Sequence, residues 1–127
     1  MMKLVLTLFI VIILRDSSDY LNSVWVYPVA KGCVNTLKLK AKGKADSYDC
    51  ELDYTFNCTY KIVKDTLFLT EPDDSHEEDG GKVIFHRYKY LIRNKALFCI
   101  SSGELVKGKW IDKKIKSQNP PDWKRVK

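Results

Sequence analysis

No stretch of this chain is long and apolar enough to read as a membrane-spanning helix. Crossing a bilayer takes roughly 20 consecutive apolar residues. The longest run, Leu4 to Leu14, has eleven positions and is broken by Thr7. No segment shows a helical 3.6-residue period, and no repeat or low-complexity tract appears. None of the cysteine spacings gives Cys-x-x-Cys, which argues against zinc and thioredoxin-type chemistry. Gly-x-Ser-x-Gly, His-Glu-x-x-His and the P-loop are also missing. With 127 residues there is room for one core, which excludes a TIM barrel or a large nucleotide-binding enzyme. Nothing in the sequence announces a reaction.

What is present begins with a leader-like N-terminus. Met1-Met2-Lys3 is a short positive start, Leu4 to Leu14 is apolar, and Arg15 to Asp19 turns polar. That succession reads as an export signal over residues 1–16, with the mature chain starting near Ser17 or Ser18. Residues 17–127 then form the domain, in a secreted or periplasmic (cell-envelope) setting with no stable membrane span after cleavage. The first cysteine is Cys33, too far from the run for a lipid anchor. Cleavage would take Lys3, Arg15 and Asp16 from the 22 basic and 16 acidic residues, leaving a net +5. Solvated strand faces and turns account for that excess, and an exported chain gives no reason to expect a nucleic-acid partner.

The remainder reads as consecutive β-hairpins. Tyr48, Cys50, Leu52, Tyr54, Phe56, Cys58, Tyr60 and Ile62 alternate with polar residues, a strict period of two. Fifteen residues exceed the usual strand length of about 3–10, so a break is expected near Glu51 to Asp53. Two-residue turns at Gly43-Lys44, Lys64-Asp65 and Asn94-Lys95 each place apolar opposite apolar. They pair Leu39 with Tyr48 and Leu37 with Cys50. They also pair Ile62 with Leu67, Tyr60 with Leu69, Ile92 with Leu97, and Tyr90 with Cys99. The expectation is an all-β, antiparallel up-and-down meander of eight or nine short strands closing into a small barrel, which removes its open edges.

This succession resembles the small exported lipocalin-like (calycin-type) proteins of bacteria. The resemblance is carried by Trp25 at the head of the first strand, by Tyr60-Lys61-Ile62 leading through Lys64-Asp65 to Leu67-Phe68-Leu69, and by Tyr88-Lys89-Tyr90-Leu91-Ile92. It covers roughly residues 21–100. It implies a barrel whose early tryptophan closes one end beneath a basic side chain of the last strand, here Trp25 and Arg125. It departs from the family pattern in having Ser23-Val24-Trp25 where lipocalins have Gly-x-Trp.

The expected interior is rich in amphipathic rings. Tyr54, Tyr60, Tyr88, Tyr90 and His86 are the candidate ligand-binding residues of one connected cavity. To act as a base His86 would need a nucleophile or an orienting carboxylate nearby, and Cys99 and Tyr90 are the only candidates. No Asp or Glu is expected on the inner face of its hairpin, so a hydrogen-bonded core histidine is the reading, with no catalytic residues and no enzyme. Four cysteines allow three pairings. Cys33–Cys50 is the expected disulfide, leaving Cys58 and Cys99 inside. Glu71 to Gly81 reads as a solvated acidic loop rather than a calcium loop, because its sixth position from Asp73 is Glu78. No metal or cofactor is expected. Two function classes follow. One is a non-catalytic binding protein for a small apolar or amphipathic molecule. The other is a solid-cored envelope protein acting through surface protein contacts, for which Phe68, Phe85, Leu91, Phe98 and Ile100 are the outward apolar residues.

Overall fold

The computed structural model describes residues 19–73, 84–116 and 121–127. The leader reading of residues 1–16 and most of the acidic loop lie outside those residues. Nine strands are described: β1 (Val24–Ala30), β2 (Cys33–Leu39), β3 (Lys44–Asp49), β4 (Tyr54–Val63), β5 (Thr66–Asp73), β6 (Ile84–Arg93), β7 (Ala96–Val106), β8 (Lys109–Lys114) and β9 (Trp123–Arg125). All pairings are antiparallel. Strands β1 to β7 follow one another around the sheet, and β9 joins β7 to β1, so eight strands close a barrel. Strand β8 is the ninth and lies along the same edge of β7 as β9, farther toward its C-terminal end.

That sharing of one edge makes the two ends unlike. At one end β9 seals the ring through Trp25↔Arg125 and Leu97↔Trp123. Trp25, Leu37, Leu39, Leu67 and Leu97 are fully buried there or just above it. The Trp25 indole N–H donates to Ser23 Oγ at 2.9 Å, and Ser23 Oγ donates to the Tyr20 carbonyl at 2.6 Å. The Arg125 guanidinium lies 5.9 Å from the Trp25 ring and 5.7 Å from that of Tyr20. Arg125 Nη2 donates to the Asp19 carbonyl at 3.1 Å, tying the chain before β1 to the last strand. This is the tryptophan–arginine closure that the resemblance implies. At the other end β8 bears Lys109, Lys113 and Lys114, charges that discourage edge-to-edge pairing.

Two of the three expected hairpin registers are present: Ile62↔Leu67 with Tyr60↔Leu69, and Ile92↔Leu97 with Tyr90↔Cys99. Asn94 and Lys95 both have positive φ, as a type I′ turn requires. The third differs. Leu39 pairs with Ala45 and Leu37 with Ser47, not with Tyr48 and Cys50. Lys42 and Gly43 take the left-handed positions inside a short 3-10 turn, and the Lys40 N–H donates to the Lys44 carbonyl at 2.7 Å. A Cβ at Gly43 would stand 3.0 Å from the Tyr60 carbonyl oxygen, so the turn needs glycine there. Because this connection is longer than two residues, Ala45 and Ser47 face inward, and Tyr48 and Cys50 do not.

The shifted register also makes the disulfide. It carries Cys50 beside the start of β2, where Cys33 and Cys50 are bridged with a Cα separation of 5.4 Å. Cys58 and Cys99 are buried thiols. The expected break in the long alternating run falls at residues 50–53, between β3 and β4.

Candidate functional site at the open end of the barrel

The inner face of β6 carries His86, Tyr88 and Tyr90 at alternate positions, descending from the rim toward the core. The His86 and Tyr88 rings stack at 6.4 Å, and those of Tyr88 and Tyr90 at 6.0 Å. Tyr90 is only 6% exposed, and its hydroxyl accepts a hydrogen bond from the Trp123 indole N–H. Asp122 holds Trp123 in place: the Cys99 N–H donates to its carboxylate at 2.7 Å, and its own N–H donates to the Leu97 carbonyl at 2.9 Å. Tyr90, Trp123, Phe56 and Leu69 thus line the deep part of a cavity of about 310 Å³. Strand β3 supplies Ser47, Tyr48 and Asp49, and Asn35 completes the β2 wall. A second hollow, of about 480 Å³, adjoins it across His86 and Tyr88 and runs along Ser102, Glu104, Ile111 and Lys113.

Two carboxylates enter the cavity from β5. Leu67 and Leu69 face inward, and continuing the same parity brings Glu71 and Asp73 to the inner face of the mouth. These residues are therefore strand rather than the start of a solvated loop. Burial pushes the Glu71 carboxyl up to about 7, and the Asp73 and Asp49 charges push it the same way. Burial, with Glu71 beside it, also raises the Tyr88 hydroxyl. No lysine or arginine is among the described residues lining this cavity.

His86 is not a core histidine. It is half-buried at the mouth, with Nε2 3.9 Å from Asp73 Oδ2 and Nδ1 3.8 Å from Glu104 Oε1. Glu104 was hidden from sequence reasoning by a bulge. Tyr90 pairs with Cys99 but Lys89 pairs with Ser101, so Ile100 is the extra residue and the parity of β7 reverses beyond it. The Ile115 N–H donates to the Ile100 carbonyl at 3.0 Å at this point. Asp73 lies on the continuation of the Leu67–Leu69 parity, although the acidic run that begins there reads as a loop.

The other candidates divide between the two ends. Tyr88 and Tyr90 line the cavity with His86. Tyr54 packs edge-on against Phe56 at 4.9 Å and is not among the residues lining the cavity. Tyr60 stands at the opposite end, where its hydroxyl donates to the Lys40 carbonyl at 2.7 Å. The five expected residues therefore do not share one cavity.

On the outer face, Arg87 reaches across β7 to Asp112 of β8, with Nε donating to Oδ1 at 2.8 Å. Gly103 lies between them, and a Cβ there would meet the Asp112 carboxylate at 2.1 Å. The Trp110 ring lies under the Arg87 guanidinium at 4.4 Å.

Comparison with protein-family models, with curated proteins and with solved structures finds no match in any of the three. The class that the fold itself defines is a small antiparallel barrel of lipocalin-like form, closed and packed at one end and open at the other.

The charge on Glu71 has a measurable cost. Its folded-state pKa lies above the ordinary carboxylate value, so the folded chain holds this proton more tightly than the unfolded chain. The stability gained from that proton is full below about pH 4 and is lost as the pH rises through 7. Glu71→Gln should therefore stabilise the fold by about 1–2 kcal/mol at pH 8 and change it little at pH 5. Urea titrations at the two pH values would measure this. An equal effect at both would show that Glu71 is not desolvated.

Proposed function

We propose that this protein is a non-catalytic binding barrel that takes one small amphipathic molecule into its open end. The observation that carries the reading is the mouth cavity: aromatic rings at depth, polar groups higher up, and about 310 Å³ of space. That volume is at the lower end of the range for small-molecule pockets. Filled core below and hollow above is the division of labour expected of a binding barrel. A leader-like N-terminus and the Cys33–Cys50 bridge support a secreted or envelope setting, since such bridges persist in oxidising compartments.

The surface-contact alternative draws less support. Phe68 lies beneath Lys61 and Lys89, each ammonium 5.3 Å from its ring. Leu91, Phe98 and Ile100 are half-buried, and Phe85 is 36% exposed. Of the five, only Phe85 is exposed.

The test uses N-phenyl-1-naphthylamine, a neutral probe that fluoresces in apolar sites. It should bind saturably to the parent protein. Tyr88→Ala should alter its affinity by about tenfold while costing only about 1–2 kcal/mol of stability, because Tyr88 borders a space rather than filling one. No binding by the parent, with a loss of about 3–5 kcal/mol in the variant, would mean a solid barrel and overturn the reading.

A further inference from the structure

We propose that the mouth cavity selects molecules in which a cationic amine is joined to an apolar aromatic body. This rests on the binding reading above and adds the sign of the ligand's charge. The chain carries a formal net +6 with 22 lysines and arginines, yet the described residues lining the cavity include Asp49, Glu71 and Asp73 and no lysine or arginine. Negative charge is thus gathered in an aromatic-walled concavity of a basic protein. An anionic guest would meet three carboxylates in a partly desolvated space. A neutral guest would gain only the apolar contacts. An ammonium gains the carboxylates as well as the aromatic wall at Tyr88, whose ring quadrupole attracts cations. The volume of about 310 Å³ accommodates a small aromatic body, which the rings at depth would cover.

Glu71 supplies the reason for a pH dependence. Its charge is disfavoured by burial and by its acidic neighbours, and an incoming ammonium offsets both. The charges acting on it are Asp73 on its own strand and Asp49 on β3; Tyr88 and His86, the cross-strand partner of Glu71, stand beside it on β6, and Glu104 on β7 lies against His86. Lys113 on β8 is the nearby cation; it lines the adjoining hollow and is exposed. Amine affinity should rise between pH 6 and pH 8 as Glu71 loses its proton.

The experiment is calorimetric titration of the intact protein with 4-phenylbutylamine, 4-phenylbutanol and 4-phenylbutyrate, which share one apolar body. At pH 8 the amine should bind about tenfold more tightly than the alcohol, and the carboxylate most weakly. Glu71→Gln should weaken the amine about tenfold and leave the alcohol within about twofold. Equal binding of all three, or tightest binding of the carboxylate, would overturn charge selection and leave the binding reading standing. Binding of none of the three, nor of N-phenyl-1-naphthylamine, would overturn both.

Discussion

Truncating Trp25 to alanine should lower the free energy of unfolding by about 3–5 kcal/mol, the usual loss for a large aromatic removed from a core. Trp25 has no exposed surface, and its ring is the plug of the closed end. Its removal leaves a void beside Leu37, Leu39 and Leu97, where the closing strand offers only three residues to move inward. It also takes away the indole donor to Ser23 and the ring beneath Arg125. Strand β9 meets β1 through two residue pairs, Trp25↔Arg125 and Val26↔Lys124. Backbone bonds extend that ladder, the Val24 N–H donating to the Lys127 carbonyl at 3.0 Å and the Val126 N–H to the Val24 carbonyl at 2.8 Å, so the loss expected is that of the plug's packing. Urea unfolding followed by far-ultraviolet circular dichroism measures the loss. A change below about 1 kcal/mol would mean that the plug is not structural.

Replacing both Cys33 and Cys50 by serine should cost about 3 kcal/mol. The bridge spans a sequence separation of 17, and a loop of that size constrains the unfolded chain by about this amount. The effect has a direction in space. Cys50 follows Asp49 of the cavity wall, and its N–H donates to Asn35 Oδ1 at 2.9 Å, so the bridge fixes the β2–β3 side of the mouth. Because Cys58 and Cys99 are buried thiols, a reductant should lower the melting temperature of the parent to that of the variant and leave the variant unchanged. A variant that melts with the parent, or that still responds to reductant, would contradict this assignment.

The fold was legible where alternation and turn chemistry agreed. Lys64-Asp65 and Asn94-Lys95 are two-residue turns, so the strands they join have the register that hydrophobic matching demands. Gly43-Lys44 misled because its glycine serves a longer connection. The candidate register Leu39 to Tyr48 still put apolar on apolar, whereas the observed partners Ala45 and Ser47 are small and give no such signal. The site was legible in part. His86, Tyr88 and Tyr90 follow from strand parity alone. Tyr60 shares that inward parity but sits at the opposite end of its strand, and parity says nothing of height along the barrel. Glu71 and Asp73 were obscured by a run of acids that resembles a loop. Glu104 required knowledge of the Ile100 bulge, which has no glycine to mark it.

The three tryptophans stand at three different places: Trp25 at the plugged end, Trp110 on the outer face beneath Arg87, and Trp123 at the base of the mouth cavity. Their indole N–H signals in a nitrogen–proton correlation spectrum therefore report three locations at once. On titration with 4-phenylbutylamine, the Trp123 signal should move saturably while those of Trp25 and Trp110 stay in place. Movement of Trp110 alone, or no movement of Trp123 at saturating ligand, would contradict a ligand site in the mouth of this barrel.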